Sequence, residues 1–193
     1  MAFSICVFCG SRYGADPRLR AAATRFGELM GAAGARLIYG GGHVGLMGAV
    51  ADAAMAAGGE VVGLIPSRLL EREVGHRAIT ELVVTKDMFE RKQQMVDRAD
   101  AFVILPGGLG TLDELLEVVT LRQLGYHAKP IVVANLDGFW DPFGALVDRV
   151  IEQKFAEPSA RTLYRIVATI EEILPALGIA QPPAAPLRVA RAD

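Results

Sequence analysis

The sequence of 193 residues has little of what several classes of protein require. Lys and Arg number 20 against 22 Asp and Glu, so the basic excess typical of a nucleic-acid-binding surface is missing. No run approaches the ~20 apolar residues of a membrane span, and the first residues lack the basic start of a signal peptide. We therefore expect a cytoplasmic protein with neither a nucleic-acid nor a membrane partner.

Cysteine and histidine are equally scarce. The two cysteines, Cys6 and Cys9, cannot alone complete a four-ligand zinc site. A redox pair with this spacing normally opens a helix, whereas these two lie in a strand-like run, so we interpret them as core residues. The three histidines are widely spaced and show no metal-ligand pattern: His43, His76 and His127. These residues therefore predict no metal site.

Short apolar runs alternate with helical patterns along most of the chain. The predicted strands are Ser4–Phe8, Arg36–Tyr39, Glu60–Ile65, Glu81–Thr85, Ala101–Leu105, Pro130–Ala134 and Tyr164–Val167. This alternation favours a parallel sheet with helices on both faces, a Rossmann-like α/β fold. We expect one domain over residues 1–180. The proline-containing residues 181–193 have too little to bury and are predicted to be a disordered tail.

The chain is organised around residues 105–114, which read LPGGLGTLDE. An apolar strand precedes them, and a helix follows with apolar residues at Leu112, Leu115, Leu116 and Val119. The glycines can take positive φ and let backbone N–H groups approach a ligand. A strand, a glycine turn and a helix N-terminus together form an anion site. Glu114 places a carboxylate beside it, which a pure phosphate site does not need.

Two alternative interpretations remain open from the residues alone. Thr111 and Glu114 have the spacing of a capping box, in which Glu114 would only accept from a backbone N–H. The glycines of residues 40–45 match a dinucleotide fingerprint, but no acid ends the following strand, because Glu60 lies at its start. A mononucleotide suits two glycine turns at least as well as NAD.

The stretch PGGLGTLDE resembles the PGGxGTxxE signature of the LONELY GUY (LOG) family of nucleoside 5′-monophosphate phosphoribohydrolases, which release cytokinin bases. The segment MFERK at residues 88–92 is similar to that family's MxxRK segment, and YGGG at residues 39–42 also matches. The resemblance covers roughly residues 5–176. It implies a catalytic Arg at Arg91 and a catalytic Glu at Glu114, with no cofactor and no metal. Family members have been labelled lysine decarboxylases, but Lys86, Lys92 and Lys129 lack the pattern of a pyridoxal site.

The resemblance also implies a set of substrate-binding positions. These are Ser11, Gly41, Gly42, Glu73, Arg91, Lys92, Gly107, Gly108, Leu109, Gly110, Thr111, Leu112, Asp113, Glu114 and Thr120. Arg91 and Lys92 lie at the positive end of a helix, which is unfavourable for cations unless they meet a phosphate or a carboxylate.

The expected activity is hydrolysis of the N-glycosidic bond of a purine nucleoside 5′-monophosphate by a homodimer. The base would be adenine or an N6-substituted adenine. The alternative is a nucleotide- or molybdenum-cofactor-binding carrier that uses the same glycine turns without catalysis. The apolar surplus in the composition mildly supports an interface between subunits.

Overall fold

A computed structural model describes residues 2–70 and 75–180. Its seven strands are β1 (Ser4–Phe8), β2 (Arg36–Tyr39), β3 (Val61–Pro66), β4 (Glu81–Thr85), β5 (Ala101–Ile104), β6 (Ile131–Ala134) and β7 (Arg165–Val167). They form one sheet in the order β4-β3-β2-β1-β5-β6-β7, and every neighbouring pair is parallel. The predicted α/β fold is confirmed. The chain reverses its winding between β1 and β5, which is where ligands bind in open sheets of this kind.

Six helices cover the two faces of the sheet. They are α1 (Pro17–Ala32), α2 (Gly45–Ala56), α3 (Met88–Arg98), α4 (Leu109–Gln123), α5 (Asp141–Glu152) and α6 (Ile173–Ala176). One core lies under α1, α2 and α6 and includes Phe26, Val50 and Ile173. The other lies under α3, α4 and α5 and includes Met95 and Leu115. Within the described residues no helix is long and apolar enough to cross a membrane.

The strands were predictable because a parallel strand buried on both faces is a continuous apolar run. Cys6 and Cys9 are both buried in the core, as expected. The helical details differ more. Leu115 and Val118 are the buried apolar residues of α4, whereas Leu116, which was expected to face inward, is 43% exposed. The predicted tail, residues 181–193, lies outside the described residues, so the domain boundary stays a prediction.

Candidate active site

A cleft of about 510 Å³ opens at the point where the winding of the sheet reverses. It lies between the loop that follows β1 and the turn that follows β5. Its predicted lining residues are Ser11, Gly107, Gly108 and Leu109. The two loops are joined directly, because the Gly10 N–H donates to the Pro106 carbonyl at 3.1 Å.

Helix α4 begins at this cleft without a side-chain cap. Gly108 is its N-cap residue and makes no side-chain cap hydrogen bond. The N–H groups of the first turn therefore have no acceptor within the helix, and they form the positive end of the helix dipole. The predicted glycine turn thus ends in an uncapped helix start that lines the cleft, and its role as an anion site stays a prediction.

The reason for glycine in this turn differs from the expected one. None of Gly107, Gly108 and Gly110 has a positive φ. Gly107 is needed for close approach instead, since a Cβ there would lie 2.1 Å from the Thr111 Oγ1 atom and 2.9 Å from the Gly10 backbone nitrogen. The turn is tight because two chain segments pass each other at this residue.

The first N–H groups of α2, the other helix with a glycine-rich start, are already hydrogen-bonded within the protein. The N–H groups of Leu46 and Met47 both donate to the Gly10 carbonyl, at 3.0 and 3.3 Å. Gly45, with φ of 71°, lies against the backbone of Ser11, where a Cβ would come within 2.3 Å of a carbonyl carbon. The first turn of α2 thus holds the β1 loop, and the first turn of α4 is the one open to a ligand.

Arg91 is buried at the carboxyl ends of two strands. Its side chain is 8% exposed. Its Nε atom donates to the Leu64 carbonyl at 3.1 Å, and one terminal nitrogen lies 3.5 Å from the Gly40 carbonyl. The cation is therefore held by backbone oxygens at the ends of β2 and β3, although it lies in the first turns of α3.

Glu114 lies beside Arg91 and has no other polar partner in the described part of the chain. Its Oε1 atom is 3.7 Å from an Arg91 terminal nitrogen, and its side chain is 11% exposed. Burial raises the pKa of the Glu114 carboxyl to about 7; Arg91 opposes this rise and Asp113 adds to it. A carboxyl group with a pKa near neutrality has the character of a general acid or base.

The capping-box interpretation of Glu114 is wrong. Because the helix starts at Leu109 with Gly108 as its N-cap, Thr111 is already the third helical residue. Glu114 is therefore one turn too far along the helix to reach an N-terminal N–H group. Thr111 is 3% exposed and packs against Gly107.

Lys92 is paired with carboxylates rather than free for a ligand. Its Nζ atom lies 3.1 Å from both Asp113 and Glu117. Burial alone would lower the pKa of Lys92, but the hydrogen bonds to Asp113 and Glu117 outweigh this effect and raise the pKa. These ion pairs link α3 to α4. In sequence they adjoin the Arg91–Glu114 pair, since Lys92 follows Arg91 and Asp113 precedes Glu114.

Some predicted residues are not brought to the cleft. Gly41 and Gly42 are buried; the Gly41 carbonyl accepts from the His76 N–H at 2.9 Å, and Gly42 bridges Gly75. Thr120 is exposed near the far end of α4. Their substrate-binding roles stay predictions, as does that of Glu73, which lies outside the described residues.

Leu112, Asp113 and Gly110 complete the predicted set. Leu112 packs on the core under α4, Asp113 binds Lys92, and Gly110 is exposed in the first turn of the helix. Neither Arg91 nor Glu114 lines the cleft itself; they lie buried where α3 and α4 meet the strand ends.

Several residues that line the cleft were not predicted from the sequence. Arg12, Tyr13, Leu19, Leu46 and Phe139 also line it. Phe139 follows a short turn after β6, so its position at the carboxyl end of a strand could have indicated it. Arg12 and Tyr13 adjoin Ser11 in the β1 loop, where only Ser11 was singled out.

The fold and the site together define a Rossmann-like α/β protein with an uncapped helix start at its cleft and a buried Arg–Glu pair whose Glu lies on the same helix. The sequence comparisons identify the family. Residues 47–177 match the family model described as "Possible lysine decarboxylase". The chain is 43% identical over 170 residues to the cytokinin riboside 5′-monophosphate phosphoribohydrolase LOG of Oryza sativa, covering 88% of this chain and 70% of that protein. It is 42% identical to LOG7 of Arabidopsis thaliana, covering 88% of this chain and 78% of that protein. The chain belongs to the LOG family.

Solved structures extend the likeness in fold only. A molybdenum cofactor binding protein from Rippkaea orientalis superposes with a TM-score of 0.69 at 22% identity, covering 92% of this chain and 96% of that one. The molybdenum cofactor carrier protein of Chlamydomonas reinhardtii gives 0.69 at 18% identity, with 92% and 97% covered. These values show a shared architecture and do not carry over a ligand.

Proposed function

We propose that the protein hydrolyses the N-glycosidic bond of a purine nucleoside 5′-monophosphate, with release of the free base and ribose 5-phosphate. The observation that carries the proposal is the buried Arg91–Glu114 pair beside the uncapped start of α4. The relatives that are 42–43% identical are named as phosphoribohydrolases of cytokinin riboside 5′-monophosphates. This supports an adenine or an N6-substituted adenine as the base.

In this proposal the phosphate binds at the first turn of α4. Its negative charge meets the free N–H groups and the positive end of the helix dipole, with the Ser11 hydroxyl nearby in the cleft. Glu114 follows Leu109 by five residues, a rise of about 7.5 Å along the helix. One helix thus presents an anion site and a carboxylate at two separate points.

Cleavage of a glycosidic bond develops positive charge on the sugar. Glu114 in its ionised form stabilises this charge and accepts a proton from the attacking water. The water oxygen bonds to the anomeric carbon as the bond to the base nitrogen breaks. The base leaves with the bonding electron pair and takes a proton from solvent, and Glu114 returns to solvent the proton that it accepted. Two backbone carbonyls fix the Arg91 guanidinium near Glu114. Its positive charge keeps the Glu114 carboxylate in place and lowers the free-energy cost of ionising it.

The pyridoxal chemistry suggested by the family description is not supported by the surroundings of Lys92 or Lys129. A Schiff base requires a neutral amine, whereas the pKa of Lys92 is raised by its two carboxylate partners. Lys129 donates to the Val96 carbonyl at 2.7 Å. No step of the proposed reaction uses a cofactor.

The first experiment is incubation with AMP, followed by chromatography for adenine and ribose 5-phosphate. We expect both products in equal amounts, and at least ~100-fold less of each from an equal concentration of the Glu114→Gln variant over the same time. A carrier would retain AMP unchanged, so recovery of intact AMP from saturated wild-type protein would favour the binding-module alternative. Isopentenyl-AMP as a competing substrate would then establish which base is preferred.

We further propose that the enzyme is a cytoplasmic homodimer that associates through α3 and α4. Away from the cleft these helices expose large apolar side chains at Met88, Phe89 and Leu116, and the exposed Leu124 directly follows α4. Phe89 is 83% exposed, and large aromatic side chains are enriched where subunits meet. Sedimentation should give twice the 20.6 kDa mass of one chain, and Phe89→Asp should shift it towards one chain. A single-chain mass for the wild type at micromolar concentration would contradict the proposal.

A further inference from the structure

Two histidines that are far apart in sequence meet beside α2. His43 precedes the helix, Asp52 lies two turns along it, and His76 follows the residues that the structure does not describe. Their ligand atoms all lie within 4.8 Å of one another. The cluster includes neither Arg91 nor Glu114, and it lies outside the residues that line the cleft.

The contacts within this cluster are close. The His76 Nε2 atom is 2.7 Å from the Asp52 Oδ1 atom, and the ring centroids of His43 and His76 are 4.3 Å apart in an edge-to-face arrangement. His76 is 3% exposed, whereas the Asp52 side chain is 60% exposed. One ligand is thus fixed in the interior and the other two reach solvent.

The backbone holds His76 in this position. Its N–H group donates to the Gly41 carbonyl at 2.9 Å, and the preceding Gly75 bridges Gly42 in antiparallel fashion. His43 is the next residue after Gly42. Both histidines are therefore carried by paired backbone segments, and Asp52 is carried by a regular helix. A ligand site built on such elements needs only side-chain rotation to close.

We propose that His43, Asp52 and His76 bind a divalent transition metal ion of the zinc class. Two imidazoles and one carboxylate are a ligand set that zinc uses in three-ligand sites, with water in the fourth position. Magnesium and calcium prefer sites built of oxygen and are not expected here. Tetrahedral geometry with bonds of ~2.1 Å places ligand atoms about 3.4 Å apart. The exposed His43 and Asp52 side chains are free to make that adjustment.

Binding would replace the hydrogen bond between His76 and Asp52 with bonds from both side chains to the metal ion. The ion would join the loop at residues 40–44, helix α2 and the chain that continues from Gly75. It takes no part in the proposed hydrolysis, and the proposal does not depend on that function.

The test uses the full chain without a polyhistidine tag, stripped of metal by a chelator and titrated with Zn²⁺ by calorimetry. Co²⁺ absorption in the visible range provides a second measurement, because tetrahedral coordination gives intense bands. We expect one equivalent bound by the wild type. His43→Ala and Asp52→Asn should each weaken Zn²⁺ binding at least ~10-fold. The loss of a residue that only supports a metal ligand already weakens binding by about this much.

His127→Ala is the matched control, since His127 lies elsewhere and contacts the Val118 carbonyl at 3.0 Å. It should bind like the wild type. Circular dichroism confirms folding of each variant, and His43 is exposed, so its replacement should not disturb the core. Equal binding by the His43 variant and the wild type would overturn the proposal and leave only a hydrogen-bonded His–Asp pair, as would an equal loss in the His127 variant.

Discussion

Helices α3 and α4 begin with nearly the same sequence pattern and use it in opposite ways. In α3, Asp87 is the N-cap and accepts from the Glu90 N–H at 2.9 Å, while Glu90 accepts from the Lys86 N–H at 2.8 Å. In α4, the residues with the same spacing are Thr111 and Glu114, and neither one caps the helix. The start of α3 is satisfied by its own side chains, whereas that of α4 is left open for a ligand.

The difference depends on where each helix starts relative to the acid. Asp87 precedes α3, so Glu90 is exposed at the first turn. Gly108 precedes α4 three residues before Thr111, so the Glu114 carboxylate is carried into the buried space beside Arg91. The capping-box spacing of three residues therefore predicts a cap only when the first helical residue is known.

Replacing the two acids by glutamine should separate their roles most strongly. Glu114→Gln should lower kcat for AMP by ~10²–10⁴-fold, because it removes the charge that accepts a proton and stabilises the cation. Glu90→Gln should leave kcat within a few-fold of the wild type, since it changes only a cap. Steady-state kinetics on both variants measures this. A Glu114→Gln protein that retained most of its activity would leave the chain without its proposed catalyst.

Supplying α4 with the cap that α3 already has should block the phosphate. The Cβ of residue 108 would meet nothing within 4 Å, so Gly108→Asp can place a carboxylate on the free N–H groups. Two charged hydrogen bonds of ~1.5–3 kcal/mol each are then lost to the substrate. We expect kcat/KM for AMP to fall at least ~100-fold. Gly108→Ala, which adds no charge, is the control and should remain much closer to the wild type.

The same phosphate contacts should make adenosine a poor substrate. Without a 5′-phosphate, kcat/KM should be at least ~100-fold below that for AMP, by the same loss of two hydrogen bonds. Parallel chromatographic assays of the two substrates give this ratio. Comparable rates would show that the open start of α4 is not a phosphate site.

The pH dependence of kcat/KM should report the ionisation of Glu114 and the influence of Asp113 on it. With a pKa of about 7, Glu114 ionises as the pH rises through neutrality, so kcat/KM should rise about tenfold per unit below that pH and level off above it. Asp113→Asn should move this limb to lower pH, because Asp113 raises the pKa of Glu114. A limb that the Asp113 variant leaves unchanged would assign the titration to another group.

The free energy of unfolding should fall over the pH range in which kcat/KM rises. Glu114 has a pKa near 4.5 when unfolded and about 7 when folded, so the native state binds the proton more tightly. The stability that the neutral carboxyl contributes is complete below pH ~4.5 and is lost as the pH rises through 7, by up to about 3 kcal/mol. Denaturant unfolding at pH 5 and pH 8 should show a smaller difference for Glu114→Gln than for the wild type.

The smallest effect is expected at the capped helix. Asp87→Ala should lower the free energy of unfolding by ~0.5–2 kcal/mol through loss of the N-cap, with little change in kcat. Urea unfolding together with an activity assay measures both. A large loss of activity at unchanged stability would mean that the start of α3 has a role beyond supporting the helix.

The sequence predicted the sheet, the glycine turn and the neighbourhood of Glu114, because each depends on local pattern or on the chain order of strands. It did not predict that Leu116 faces outward, since the rotation of α4 is set by packing at Leu115 and Val118. It also missed the meeting of His43 and His76. That contact depends on a backbone bridge between Gly42 and Gly75, which no spacing along the chain reveals.

The backbone N–H and carbonyl groups of Gly10 limit how the ligand specificity of the cleft can change. Its N–H binds the turn after β5 and its carbonyl binds the start of α2, so the two loops on either side of the cleft are assembled before any ligand arrives. A preorganised site loses little conformational entropy on binding. It also resists remodelling, because a longer or shorter loop on one side would displace the other. New substrate preference in this architecture would therefore arise through side chains at the rim, such as Arg12, Tyr13 and Phe139, and not through the loops themselves.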